Sequence, residues 1–459
     1  MNIEEAFDKV EMLITNLMQQ SRIPGLSLSV IKGKKVIYSK GFGARNLEQN
    51  LPATPETLFG IGSCTKSFTC LGIMQLAEQD KLSIEDPVSE YIPFKLGMKD
   101  HPIQIKHLMS HSSGVPNLGI AEVLIQRFSG IKETYVPLSD PEDIYLHINN
   151  AQKEVVDKPE QRFFYFNGGY WLLGQIIEKV TKKSYEQYIV ENILKPLKMK
   201  RSTFLQESFE KDKDAMIAYW MADDKQKPST HPFDLGVHAA GGLLSSVKEL
   251  ENYVQLYLNG GTLNDDQLIS EKSIEKMFEG LLKFPQEGFF GKDAYGFGWL
   301  ITEDFFGHKL VNHGGSTGMS SANISLIPGE KLGVVTAANC GNGQGSIISQ
   351  IILMALLGKN PEKDHPVIVS ENKHKPLIGE YATFKGINKI SIKKKNGILY
   401  AINEEQKIDF PLIPESNEPD DFTFFVPLIG GRKLPVEFIL NSSGKVDLLV
   451  DRNYFHKIS

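Results

Sequence analysis

The sequence predicts an α/β fold of the α+β kind: an antiparallel sheet flanked by helices, an inserted helical region, and a small all-β barrel or sandwich at the C-terminal end. Three observations carry that expectation. Strand-like segments come early and again late, with helices and loops between them, the pattern of a sheet split in sequence. Beyond residue 375 the chain turns to short alternating segments joined at tight turns, which suggests a separate antiparallel unit. A length of 459 residues exceeds one ordinary core, so two domains are expected.

Taken in order, Ile3, Phe7, Val10, Leu13, Ile14 and Leu17 fall on one helical face over residues 3–21. Pro24-Gly25 breaks that helix, and Leu26 to Ile31 and Lys35 to Phe42 read as strands joined at Lys32-Gly33. Ser63 opens a helix that continues through Ile73, Met74, Leu76 and Ala77. Trp171 to Val180 and Tyr185 to Leu194 are helical, the second ended by Pro196, and Ser246 to Leu258 is stopped by Asn259-Gly260-Gly261. Strand character returns near Tyr295 and in Lys309 to Asn312, Ala322 to Ile327 and Leu332 to Ala338, with Pro328-Gly-Glu-Lys331 as a turn. Ile347 to Leu357 is a last helix, ended at Gly358. Lys359 to Lys375 is polar and carries prolines, so the division expected is a first domain over 1–360, a linker over 361–375 and a barrel over 376–459. In the barrel, Ile387 to Ile392 and Ile398 to Ile402 flank Asn396-Gly397, a strong hairpin signal, and Phe422 to Leu428 and Leu434 to Leu440 flank Ile429-Gly430-Gly431.

Composition narrows the function classes. With 41% hydrophobic and 23% charged residues the chain is globular, and a net charge of −6 without a basic stripe argues against a nucleic-acid partner. Ile351 to Leu357 is far shorter than the ~20 residues of a membrane span. Asn2-Ile-Glu-Glu places acids where a signal peptide would carry bases, and Cys64, Cys70 and Cys340 lack the spacing of a disulfide framework. A cytoplasmic protein is expected.

Chemistry enters with Gly60-Ile-Gly-Ser63-Cys-Thr-Lys66-Ser67. Residues three apart share a helical face, so the Ser63 hydroxyl and the Lys66 amine can meet. A serine hydroxyl becomes a nucleophile when a base takes its proton, and a lysine held neutral can be that base. Alone, the pair reads more readily as an N-capping Ser63 and a solvated Lys66. Two further motifs change the balance: Tyr165-Phe166-Asn167 at the mouth of a mid-chain helix, and His313-Gly314-Gly315 at the end of a strand.

In this order and at these spacings, the three motifs resemble those of the serine β-lactamase and penicillin-binding-protein superfamily. The similarity is greatest to its class C-like branch, the CubicO-type enzymes of peptidase family S12, and within it to archaeal serine peptidases with a lipocalin-like C-terminal barrel. Leu108-Met-Ser-His-Ser-Ser-Gly114 and Ala240-Gly-Gly-Leu-Leu-Ser-Ser246 resemble the family too. The resemblance implies a β-lactamase/transpeptidase-like fold, with Ser63 as nucleophile, Lys66 as its partner amine and Tyr165 as the group that moves protons to and from it. It implies that Asn167 holds Lys66 or substrate, that His313 stands where other members carry lysine or histidine, and that Gly315 leaves room for substrate backbone. The oxyanion hole would be the backbone N–H groups of Ser63 and Ser316. No cofactor and no metal are implied.

Free lysine and tyrosine ionise near ~10.4 and ~10, so one of the two must be shifted to act as a base near neutrality. Burial favours a neutral Lys66, the positive end of a helix favours a Tyr165 anion, and the sequence leaves open which of them is the base. Two positions depart from the pattern. Glu160 follows Pro159 where a glycine is usual, and Lys198 stands in Pro196-Leu-Lys198-Met199 where Pro-Leu-Gly-Met is usual.

Other signals weigh less. Gly314-Gly-Ser316-Thr-Gly318 satisfies G-x-S-x-G, but that elbow needs a helix directly after the serine, and Met319 to Ile327 alternates like a strand. Residues 60–67 fall one residue short of a phosphate loop, with Thr65 where a glycine must be, and Gly341-Asn-Gly343-Gln-Gly345 lacks the third glycine of a dinucleotide loop. His107 and His111 have the spacing of zinc ligands, yet no acid follows His107 as in H-E-x-x-H. The function expected is a serine hydrolase, a cytoplasmic peptidase acting on peptides that include D-residues. An esterase or β-lactamase of the same fold is the alternative, and a non-catalytic acyl-binding sensor the alternative of another class. The expected partner is a peptide or other small acyl substrate, and the exposed hairpin edges of the barrel suggest a homo-oligomer in which another protomer covers them.

Overall fold

Leu26, Leu28 and Val30 alternate with Ser27, Ser29 and Ile31, the pattern of a strand with one wet face, yet all six are buried. The serines find partners inside: Ser27 donates to the Thr54 carbonyl at 2.7 Å and Ser29 to Glu251 Oε1 at 2.9 Å. This strand, Gly25–Lys32, lies within a nine-stranded antiparallel sheet. Across the sheet the order is Leu282–Gly288, Gly291–Tyr295, Leu300–Phe305, His308–Ser316, Ser321–Ile327, Leu332–Ala338, Gly25–Lys32, Lys35–Asn46 and Leu51–Pro52. Leu26 pairs with Ala338, so the early and late strands join in mid-sheet and the helical region is inserted between them. The computed structural model describes residues 3–130, 136–222, 225–416, 418, 420–440 and 445–459.

Helices cover both faces of the sheet. On one, Gly333 lies against Val254 and Leu258 of the helix Val247–Leu258; on the other, Thr336 lies against Gly345 at the start of Gly345–Leu356. Strands Ser321–Ile327 and Leu332–Ala338 are therefore buried throughout. In the inserted region, Gly62–Cys64 forms a tight 3₁₀ turn that runs into the helix Thr65–Glu78. Every residue from Thr65 to Leu76 is buried, as expected of a helix surrounded by others. Phe68 stacks on Tyr253 at 3.7 Å between ring centroids, and Thr69 donates to the Ala239 carbonyl, fixing the helix against its neighbours.

Both departures from the family pattern lie in left-handed backbone. Glu160 has φ +66 and Lys198 φ +57, conformations in which glycine is free of the Cβ penalty. Glu160 gains by its side chain, whose carboxylate meets Lys106 Nζ and His107 Nε2, each at 3.1 Å.

Two compact units divide the chain at Met1–Leu356 and Leu357–Ser459. The second is a closed eight-stranded antiparallel barrel in which Tyr381 of the first strand pairs with Lys457 of the last. Leu377, Tyr381, Leu399, Phe424, Phe438 and Leu448 are among the side chains filling it. Asn396 and Gly397 both have positive φ, as a two-residue hairpin turn requires. Closure corrects one expectation: a sheet that pairs with itself has no open edges to be covered. The stretch read as a linker also differs. Pro361–Asp364 and Pro366–His374 are helices, because each proline occupies a first helical position, where its missing N–H costs nothing, and Asn360 caps the first. No helix among the described residues is long and apolar enough to cross a membrane.

Candidate active site

Glycines allow the strand His308–Ser316 to approach the start of the helix Thr65–Glu78. A Cβ on Gly315 would stand 1.9 Å from the Ile61 carbonyl oxygen and 2.7 Å from the Ser63 nitrogen, and one on Gly62 would stand 2.5 Å from the Ser316 nitrogen. Gly62 also takes φ +53, so it serves both as close neighbour and as turn residue. The backbone nitrogens of Ser63 and Ser316 are thereby brought to one side of a cleft that Ser63, Asn167, Ala240 and Ser316 line together.

Lys66 is fully buried and surrounded by acceptors. Its Nζ lies 3.0 Å from Ser63 Oγ, 2.8 Å from Asn167 Oδ1 and 2.7 Å from the Ala240 carbonyl. Burial brings its ammonium down to about 7, against a weaker opposing pull from the Glu122 carboxylate. Burial also pushes the Tyr165 phenol up, so Tyr165 keeps its proton, and its hydroxyl bonds to Ser63. The two shifts are opposite in sense: burial favours the neutral amine at Lys66 and the protonated phenol at Tyr165. A neutral Lys66 donates to Asn167 and Ala240 and turns its lone pair toward Ser63 Oγ.

Tyr165 is held by the segment that follows the short helix Ile105–Met109. Phe166 N–H donates to His111 Nδ1 at 3.0 Å, and Phe164 N–H donates to the His111 carbonyl at 2.9 Å. The His111 ring lies 4.2 Å from the Tyr165 ring, and burial holds it neutral. His107 and His111 do not converge, because His111 has φ +57, outside the helix; His107 turns instead to Gln104 N–H and Glu160.

His313 is buried and has both ring nitrogens engaged. Its Nδ1–H donates to the Gly314 carbonyl at 2.6 Å, and its Nε2 accepts from the Tyr295 hydroxyl at 2.7 Å. Burial, reinforced by Lys66, takes its pKa down to about 3, so the ring is neutral. Ser316 Oγ is tied to the Gly341 carbonyl at 2.9 Å and the next element is the strand Ser321–Ile327, which is no nucleophile elbow.

Of the seven residues singled out in the sequence, Ser63, Asn167 and Ser316 line the cleft, Lys66 and Tyr165 bond to Ser63, and His313 and Gly315 lie on the strand that carries Ser316. Three participants were missed. The Ala240 carbonyl is a backbone atom without a residue signature, although its Ala-Gly-Gly segment was conspicuous. Tyr295 gave no signal beyond an aromatic cluster. His111 was weighed as a zinc ligand and is instead the support of Tyr165.

Residues 10–359 match the family model described as Beta-lactamase, and residues 361–456 a second described as the Pab87 octamerisation domain. A solved structure of the octameric penicillin-binding protein homologue from Pyrococcus abyssi is similar over 100% of both chains, with 41% identity and a TM-score of 0.91. Protein flp of Staphylococcus aureus (strain MW2) is 30% identical over 339 residues, 72% of this chain and 62% of that protein. The chain therefore spans less than two thirds of the length of the first curated relatives it matches. Teichoic acid D-alanine hydrolase of Staphylococcus aureus (strain MRSA252) is 35% identical over 200 residues, 43% of this chain and 45% of that protein.

Proposed function

The chain belongs to the Beta-lactamase family, and from that premise we propose that it is a serine hydrolase acting through an acyl-enzyme on Ser63, and more specifically a cytoplasmic peptidase of family S12. The observation that carries the reading is the buried Lys66 amine 3.0 Å from Ser63 Oγ, brought near neutrality by burial. Lys66 takes the Ser63 proton while Ser63 Oγ forms a bond to the acyl carbon. The backbone N–H groups of Ser63 and Ser316 receive the oxygen that gains negative charge, a contribution worth about 3–4 kcal/mol per donor in related chemistry. As the acyl–nitrogen bond breaks, the Tyr165 phenol gives its proton to the leaving amine and recovers one from the Lys66 ammonium. Water then repeats the sequence on the ester, and Ser63 is restored. Asn167 holds Lys66 from the side, and His313 fixes the strand that carries Gly315.

Substrate class follows from the walls of the cleft. Ala121, Ile125 and Val237 give it a narrow apolar side suited to a small side chain such as a methyl. With the likeness to a teichoic acid D-alanine hydrolase, this supports an alanyl acyl group, D-residues included. The same cleft would attack short esters and β-lactams, the alternative reading. A cytoplasmic address is supported by Cys64, Cys70 and Cys340, all buried and unpaired. The match of residues 361–456 to an octamerisation domain supports a homo-oligomer assembled through the barrel. Intact-mass analysis after incubation with penicillin, a p-nitrophenyl ester and a library of D-residue peptides tests the assignment. Turnover of peptides supports a peptidase; turnover of ester or penicillin alone moves the assignment to the alternative. A stable adduct without turnover shows a sensor, and no adduct with any of them overturns the acyl-enzyme.

A further inference from the structure

The cleft has a charge bias. Ala121 and Ile125, one helical turn apart on the helix Ile120–Ser129, both line it, and Glu122 shares a face with Ile125 by its i, i+3 spacing. Glu122 is exposed, and its carboxylate is held in place by Asn117, whose Nδ2 donates to Oε1 at 2.7 Å. Its charge reaches the interior of the site, raising the proton affinity of both Lys66 and Tyr165. Among the described residues that line the cleft none is a lysine or an arginine. His313, the titratable ring on the strand side, spends one nitrogen on Gly314 and the other on Tyr295.

We propose that Glu122 is a specificity residue: it recognises a positive charge beside the scissile bond, the α-ammonium of a peptide substrate, while the site discriminates against a free carboxylate on the leaving side. The proposal rests on the acyl-enzyme reading above and names the charge of the substrate that reading takes. An exposed carboxylate attracts an ammonium modestly, so the expected preference is about fivefold, and it falls as salt screens the pair.

Two pairs of substrates measure it in kcat/KM. One is D-alanyl-p-nitroanilide with its amine free or acetylated, at a pH low enough to keep the free amine charged; the other is D-alanyl-D-alanine as amide or free acid. The free amine and the amide should be favoured. Glu122→Gln should bring the amine ratio to about one and Glu122→Lys should invert it, with thermal melts showing both variants folded; the wild-type preference should shrink in 0.5 M salt. An amine ratio equal in the wild type and Glu122→Gln, or a free acid cleaved faster than the amide, overturns the proposal. Uncharged p-nitrophenyl acetate separates the two levels of inference. If the wild-type protein gives no acylation burst with it, the acyl-enzyme reading falls and this proposal falls with it. If the burst is present and the amine ratio is unmoved by Glu122→Gln, charge selection alone is wrong.

Discussion

Acylation of Ser63 should switch on through a pH close to neutrality, because the form of Lys66 that can take a proton is the neutral amine. With its pKa at about 7, roughly one-eleventh of the molecules carry that form at pH 6 and ten-elevenths at pH 8. The acylation rate should therefore rise about tenfold between those values and then level off. Single-turnover stopped-flow with p-nitrophenyl acetate from pH 5 to pH 10 reads it, and Tyr165→Phe should lower the plateau and leave the limb in place. The same shift has a stability consequence of definite sign. Lys66 is lowered from 10.5 to about 7 by burial, so between those pH values the unfolded chain holds a proton that the folded one does not. Its contribution to stability grows as pH rises through that window, and at and below pH 7 the folded state bears the full cost, about 5 kcal/mol. Lys66→Met removes this cost and leaves Asn167 Oδ1 and the Ala240 carbonyl without their donor, a loss of about 1–3 kcal/mol each. The variant should range from about 3 kcal/mol more stable to about 1 kcal/mol less stable than the wild type at pH 6, and should fall clearly below the wild type by pH 10, where the relieved cost has nearly vanished. A limb centred above pH 9, or a Met variant whose relative stability ignores pH, would refute a neutral Lys66.

Other consequences are as direct. Lys66→Ala and Tyr165→Phe should each cost orders of magnitude in kcat and the double variant little more, since both serve one proton path; strict additivity in steady-state kinetics would count against a shared path. His111→Phe leaves the buried Phe166 N–H without an acceptor, so it should lose about 1–3 kcal/mol in urea unfolding and lower kcat more than it raises KM. His111→Asn, which keeps an acceptor there, should recover part of both, whereas activity lost in EDTA and restored by zinc would show His111 to be a ligand after all. Lys198→Gly relieves left-handed strain at an exposed turn and should stabilise by about 0.5–1 kcal/mol; a lower urea midpoint would contradict that.

The parts legible in the sequence were those set by local spacing. Ser63 and Lys66 are one helical turn apart, and any helix beginning there brings them together. Asn396-Gly397 announced its hairpin because two positive φ values demand such residues. Long-range partners were legible only through the resemblance: nothing local tells that Asn167 and Tyr165 fold onto Lys66 across about a hundred residues, and Ala240 contributes an atom every residue has. The supporting role of His111 was not legible, because it depends on a single left-handed residue that turns its ring to Phe166 and Tyr165. Pro361 and Pro366 read as breakers and act as helix starters, a distinction that depends on which N–H groups are already unpaired. Closure of the barrel was expected through the resemblance and is borne out, although strand count and hairpins alone do not say whether the first strand meets the last.

The central claim is that Ser63 becomes esterified, and peptide mapping of the covalent adduct measures it most directly. The protein is labelled with a fluorophosphonate or with penicillin, digested, and the modified residue sequenced by tandem mass spectrometry, in parallel with Ser63→Ala and Ser316→Ala. The adduct should lie on Ser63, vanish in Ser63→Ala and persist in Ser316→Ala. An adduct on Ser316 or any other serine, or one that survives in Ser63→Ala, would contradict the account.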